Sequence, residues 1–241
     1  MKFSLVLMTL NEIVGCKEII PRIDKKLFSQ LLAIDGGSTD GTIQFLEQNG
    51  FEVVVQNKNY SFAKSYFYRQ KLVDAYRLGI EHTKTDYAVI PFTPDNNMIP
   101  EKLPDLLKKT KEGYDLVCVS RYKDGAKSFD DTPLTAFGNW FFTKLVNLLF
   151  RGNFTDLMGG YKCVKKDLFK KMKINEQTMT IAVHTQLAIG CAKNNVKYCD
   201  IPGDEPKRLD GKSIVIPIVH GFWELYIIFE GFLRKKLYKF D

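Results

Sequence analysis

Asp35 stands at the junction of an apolar run, Leu32-Ala33-Ile34, and a small polar one, Gly36-Gly37-Ser38-Thr39-Asp40-Gly41-Thr42. A carboxylate at the tip of a strand can accept hydrogen bonds from a nucleobase or a ribose. Gly36 and Gly37 let a ligand approach the backbone closely. The same residues would also make a plain strand–turn–helix corner, with Ser38 or Asp40 as N-cap. A second apolar run, Ile90-Pro91-Phe92, ends in Thr93-Pro94-Asp95, with Asn97 close behind. Oxygen donors of this kind suit Mg²⁺ or Mn²⁺, which keep waters and complete their shell with phosphates. One carboxylate with two neutral oxygens calls for a diphosphate to share the ion. The competing reading of Asp95 is an Asx turn ahead of the helix that Pro100 opens.

The elements that must position these acids alternate. Apolar runs predict strands over residues 3–8, 31–35, 51–56, 87–92 and 116–121. Helical patterns fall over 39–49 (closed by Gly50), 63–82 and 100–111, with a weak helix or loop over 13–21. Strands spaced by helices imply an α/β fold, a mostly parallel sheet with helices on both faces. Ligands bind such sheets at the carboxyl ends of the strands. Beyond Arg121 the pattern changes to a polar loop (122–133), an aromatic helix (135–150) and a loop leading into a strand (151–163). A helix (180–194), a strand (196–201), a charged loop (204–213) and a tail helix (218–238) follow.

The chain has 241 residues and a formal charge of +7, a balance that suits a phosphate-bearing or anionic-lipid partner. No helix-turn-helix or aromatic-basic platform is present, so nucleic acid is not expected. Five scattered cysteines, with no C-x-x-C pair, predict reduced thiols and a cytoplasmic protein. The first apolar segment lacks a cleavage site and reads as a strand, not as a signal peptide. Glu224 and Glu230 interrupt the tail helix, so no run reaches the roughly 18–20 apolar residues of a membrane span.

Six motifs in order carry a family resemblance: Thr9-Leu10-Asn11-Glu12, Asp35-Gly36-Gly37-Ser38-Thr39-Asp40-Gly41-Thr42, Thr93-Pro94-Asp95 before Pro100-Glu101, Ser120-Arg121, Thr155-Asp156-Leu157-Met158-Gly159-Gly160-Tyr161-Lys162, and Arg208-Leu209-Asp210-Gly211-Lys212-Ser213. Together they resemble the family 2 glycosyltransferases of GT-A fold, in the branch of the dolichyl- and polyprenyl-phosphate sugar synthases. The resemblance runs from about residue 3 to 215. It implies a transferase domain over 1–215 and a basic amphipathic helix over 216–241, packed on the domain or lying at a membrane surface.

The resemblance also implies roles. Thr9, Asn11, Glu12, Asp35 and Gly37 would line the nucleotide-sugar pocket, with Asp35 on the base. Asp95 would hold Mg²⁺ or Mn²⁺ on the donor diphosphate. Asp156 would face donor sugar and acceptor, and Arg121 and Arg208 would bind phosphate oxygens through their bidentate forks. The family's Asp-x-Asp is here Thr93-Pro94-Asp95, its Asp-Asp-Gly-Ser is Asp35-Gly36-Gly37-Ser38, and its glycine turn before the third helix is Lys71-Leu72-Val73-Asp74 after an extra stretch. His184 falls where relatives carry a glutamate, either as an acceptor-side ligand or as a packed histidine.

The implied activity is inverting transfer of a sugar from a UDP- or GDP-linked donor to a polyprenyl-phosphate or glycan acceptor, in cell-envelope or glycan biosynthesis. A hydroxyl acceptor needs a general base, which Asp156 could be; a phosphate acceptor needs none, and Asp156 would then orient sugar hydroxyls. Two other classes stay open: a non-catalytic sugar-nucleotide-binding protein and a nucleotidyltransferase of similar fold. The aromatic helices and the terminal basic cluster predict peripheral contact with a cytoplasmic membrane face, or else helix packing or an oligomer contact.

Overall fold

A computed structural model describes residues 1–56, 70–174, 180–209 and 216–240. One seven-stranded sheet runs through it in the order β3-β2-β1-β4-β6-β5-β7. The strands are β1 (Phe3–Thr9), β2 (Gln30–Asp35), β3 (Glu52–Val55), β4 (Tyr87–Phe92), β5 (Leu116–Ser120), β6 (Lys162–Lys165) and β7 (Tyr198–Pro202). All neighbours pair in parallel except β6, which is antiparallel to both β4 and β5. The helices are α1 (Ile13–Ile19), α2 (Thr42–Gln48), α3 (Gln70–His82), α4 (Leu103–Lys111), α5 (Pro133–Phe150), α6 (Asp167–Lys171), α7 (Val183–Lys193) and α8 (Pro217–Leu233).

β1 and β2 are buried on both faces, and alternate side chains feed two cores. Val6, Met8, Leu32 and Ile34 face α3, α5, α7 and α8. Leu5, Leu7 and Ala33 face α1, α2 and α4. Helices on both faces of a mostly parallel sheet are the expected GT-A architecture.

Several boundaries differ from the sequence expectation. α2 begins at Thr42, not at 39, because Gly41 takes the N-cap position with left-handed φ (96°) and the Asp40 carboxylate before it accepts from the Thr42 amide (3.0 Å) and hydroxyl (2.6 Å) in an Asx turn. At its other end Phe51 N–H donates to Leu46 O and Gly50 N–H to Glu47 O, a Schellman closure that needs the left-handed Gly50 (φ 86°). α5 begins two residues early, where Thr132 and Thr135 form a capping box around Pro133. The short α6 went unanticipated, since five residues carry too little periodicity to read. The expected start of the third helix at 63 lies outside the described residues.

The tail helix stops at Leu233 and the chain then turns to bury Leu237 and Tyr238. Lys193 ties that stop, since its ammonium donates to Gly231 O (2.5 Å), a carbonyl of the helix's last turn, and to Leu237 O (2.9 Å) in the segment beyond it. On its inner face the Thr185 hydroxyl donates to the buried Glu224 carboxyl (2.5 Å), which burial pushes up to about 7.

Candidate active site

The carboxyl ends of β1, β2, β4, β5 and β7 open on one edge of the sheet, and the antiparallel β6 begins there. Each expected site residue except Gly37 and Arg208 therefore sits at or just beyond a strand end on that edge, or just before β6. Gly37 follows in the turn after β2, and Arg208 lies six residues past β7.

On the nucleotide side, Asp35 ends β2 beside Thr9 of β1, its register partner. Its carboxylate is buried and accepts four hydrogen bonds: from Thr9 Oγ1 (2.8 Å), Ser38 Oγ (2.7 Å), Gly37 N (2.8 Å) and Ser38 N (2.7 Å). Gly37 holds φ 92°, which a side chain would strain. Asn11 clips the same turn, since Thr39 N donates to its Oδ1 and its own N–H donates to Ser38 Oγ. The Glu12 N–H donates to Thr42 Oγ1. Thr9, Asn11, Glu12, Asp35 and Gly37 thus form one continuous rim in which Asp35 shapes the turn.

Asp95 follows β4. Its Oδ1 accepts from Thr93 Oγ1 (2.9 Å) and Asn97 N (3.2 Å), an Asx turn, while Oδ2 points to the Arg208 guanidinium at 3.7 Å. Gly15 of α1 sets this turn's depth, for a Cβ there would lie 2.0 Å from the Pro94 carbonyl oxygen. The segment 206–209 straps across the turn. Asn96 and Asn97 side chains donate to Lys207 O and Pro206 O, and Leu209 N–H donates to Asp95 O. Arg208 is held by Asp130 (2.8 and 3.1 Å) and by Asn97 Oδ1 (2.9 Å).

Arg121, just beyond β5, pairs side-on with Asp156: Nε to Oδ2 at 2.7 Å and Nη2 to Oδ1 at 2.9 Å. The Arg121 and Gly159 amides donate to the same carboxylate. The Asp156 side chain is 0% exposed. Burial alone would raise its pKa, but the Arg121 charge and hydrogen bonds overcome that and hold it below the usual carboxylate range. The remaining Arg121 nitrogen, Nη1, reaches Glu205 (3.1 Å) and Asp131 (3.4 Å).

Four acids at this edge were not singled out from the sequence. Asp130 and Asp131 lie in the 122–133 loop and Glu205 in the charged loop after β7; only tertiary contact gives them arginine partners. Asp200, in β7, accepts from both the Thr155 amide and hydroxyl and so fixes the segment that carries Asp156. His184 stands in the first turn of α7, edge-on to Tyr76 at 5.8 Å. Burial, with Lys162 adding, lowers its pKa to about 3, so it is neutral at physiological pH.

Asp95 is the residue expected to hold a metal, and its Oδ2 is turned toward the Arg208 guanidinium. Among the described residues no group of three or more His, Cys, Asp or Glu could hold an ion. From these residues Asp95 Oδ2 accepts no hydrogen bond, both going to Oδ1, so with Arg208 turned away it fits a divalent cation that takes most of its shell from a diphosphate and water.

The sheet topology, with helices on both faces and strand ends gathered on one edge, is that of a GT-A fold. The family model for glycosyl transferase family 2 matches residues 4–173, and the chain belongs to that family; it is a glycosyltransferase. It is 29% identical over 225 residues to glycosyltransferase AglJ of Haloferax volcanii, covering 90% of this chain and 69% of that protein. It is 27% identical over 172 residues to the undecaprenyl-phosphate 4-deoxy-4-formamido-L-arabinose transferase of Klebsiella pneumoniae, covering 68% of this chain and 47% of that one. The chain thus spans about half the length of the second relative. Among solved structures, glucosyl-3-phosphoglycerate synthase of Mycobacterium tuberculosis with Mn²⁺, UDP and glucosyl-3-phosphoglycerate superposes with a TM-score of 0.64 at 18% identity, covering 100% of this chain and 81% of that one. Mannosyl-3-phosphoglycerate synthase of Rubrobacter xylanophilus gives 0.64 at 18% identity, covering 98% and 74%.

Proposed function

We propose that the chain transfers a sugar, with inversion, from a UDP- or GDP-linked donor to a polyprenyl-phosphate or glycan acceptor. The observation that supports this is the Asp95–Arg208 contact just beyond β4: an acid and a strapped arginine together are groups suited to meet a donor's diphosphate. Thr9, Asn11, Glu12, Asp35 and Gly37 shape the nucleoside end. Arg208 turns from Asp130 and Asp95 to the diphosphate oxygens. Asp95 would hold Mg²⁺ or Mn²⁺; bound there, the ion would stabilise charge on the departing diphosphate. Arg121 and Asp156 form the wall on the acceptor side. The Mn²⁺ and UDP of the mycobacterial structure and the undecaprenyl phosphate in the Klebsiella enzyme's name support this choice of donor and acceptor.

Thermal-shift measurements with UDP, GDP and their sugars, with and without Mn²⁺, test it alongside assays of released nucleotide. The expected result is a Mn²⁺-dependent stabilisation by one nucleotide class together with turnover. Binding without turnover would make the chain a sugar-nucleotide-binding protein, and no shift with any nucleotide would sink the donor assignment.

The same proposal places α5 and α8 against the cytoplasmic face of a membrane. No helix among the described residues is long and apolar enough to cross one. These two helices expose Phe137, Trp140, Phe222 and Leu233, the last two at 71% and 74%, and Arg234, Lys235 and Lys236 follow directly. Apolar side chains beside a basic cluster suit an anionic interface. The protein should sediment with phosphatidylglycerol liposomes and Phe222→Glu should release it; equal sedimentation of both would remove α8 from the contact.

A further inference from the structure

Arg121 is expected to bind phosphate oxygens, yet its donors are already committed. Nε and Nη2 serve Asp156, and Nη1 serves Glu205 with Asp131 beside it. None of these acids is loosely placed. Glu205 is tied through its backbone, accepting from Phe129 N–H and donating to Lys127 O, and its Oε2 accepts from the Ser128 hydroxyl. Asp131 accepts from the Tyr122 hydroxyl. An anionic phosphate brought to Nη1 would lie against two fixed carboxylates. The adjoining stretch of α5 brings no relief, for residues 134–143 contain no lysine or arginine.

The geometry points to Glu205 as the residue that takes the acceptor's proton, and hence to a sugar hydroxyl as the nucleophile. This rests on the transferase function proposed above and selects the glycan arm of its acceptor. Asp156 cannot serve, being enclosed with both oxygens saturated by Arg121 and Gly159; it is a positioning residue that aims Arg121. Glu205 differs at one atom. Its Oε2 is occupied by Arg121 and Ser128, while Oε1 has only the longer 3.4 Å limb from Nη1 and keeps lone pairs for a hydroxyl. Its side chain is 17% exposed where that of Asp156 is closed.

In the step, the acceptor oxygen bonds to the anomeric carbon as the bond from that carbon to the diphosphate oxygen breaks. The nucleoside diphosphate leaves with the electron pair, and the hydroxyl proton passes to Glu205 Oε1. The charged groups facing Glu205 are Arg121 from the end of β5, Asp131 from the 122–133 loop, Asp156 through Arg121, and Arg208 on its own segment. Burial raises the Glu205 carboxyl, while Arg121 and the Ser128 hydroxyl pull it back. The base form is therefore lost as pH falls, giving the rate an acid limb.

The test uses the full chain with UDP-glucose and GDP-mannose, Mn²⁺, and either octyl β-glucoside or farnesyl phosphate as acceptor, reading released nucleotide. Wild type should use the glucoside. E205Q should lose about 100-fold or more in kcat, lose the acid limb and keep the nucleotide-induced thermal shift. Azide, an anionic nucleophile that needs no base, should restore nucleotide release to E205A, an outcome that damage to the fold would not produce. Transfer to farnesyl phosphate, an E205Q rate within twofold of wild type, or a loss that azide leaves unrepaired would overturn the assignment of Glu205 while leaving the transferase function standing. A wild type that neither binds nor turns over any nucleotide sugar would overturn both.

Discussion

Asp95→Ala is expected to abolish metal-dependent turnover of the donor, a fall of at least about 100-fold, the usual loss when a site's main electrostatic contact to a developing charge is removed. Thr93 and Asn97 flank Asp95, but both are neutral, and the family's second acid is absent from this turn. Within residues 93–97 Asp95 is the only carboxylate. Asp95→Asn separates charge from shape. An amide oxygen still accepts from Thr93 Oγ1 and Asn97 N, so the turn and the 206–209 strap persist while the charge facing Arg208 is gone. Both variants should melt close to wild type, and both should lose the Mn²⁺-dependent part of the nucleotide thermal shift. Full turnover in either would take the metal away from Asp95.

Asp156→Ala should be the most destabilising single change at the site, at about 3 kcal/mol. Breaking a buried ion pair costs roughly 3–5 kcal/mol, and the lower end applies because Glu205 and Asp131 remain as partners for Arg121. The Arg121 and Gly159 amides lose their acceptor as well. Urea unfolding should show a lower midpoint with an unchanged slope. The pH dependence follows from the depressed Asp156 carboxyl. A carboxyl lowered on folding contributes stability above its unfolded value, near about 4, and loses it as pH falls through the lower folded one. The gap between wild type and variant should therefore be full at neutral pH and close in acid. A gap that stayed constant down to pH 2 would mean that the loss comes from packing and not from charge.

The local sequence determined a great deal here. The strands, the helix expected over 100–111 (α-helical from Leu103, after a 3-10 turn at Pro100–Lys102), the Schellman stop at Gly50 and the turns around Asp35 and Asp95 all follow from short-range rules, because apolar period, capping and glycine freedom act over a few residues. Six ordered motifs named the family for the same reason: the first four are strand ends with the residues just beyond them. The antiparallel β6 and the start of α2 at Thr42 were less legible, since strand direction depends on distant pairing and the helix start on a carboxylate choosing between neighbours.

What the sequence could not supply was the partnership of charges. Arg121 and Asp156 are separated by 35 positions, and Glu205 lies a further 49 beyond Asp156. All three meet because β5, β6 and β7 are adjacent in the sheet and release their connections at one edge. The turn at Asp35 was readable from its residue types as either a ligand corner or a plain strand–turn–helix corner, but that Thr9 completes the saturation of its carboxylate is a product of the β1–β2 register. A residue's chemistry is written in its side chain, whereas its protonation, its partners and the face it leaves open depend on groups that only the folded chain brings within 3 to 4 Å.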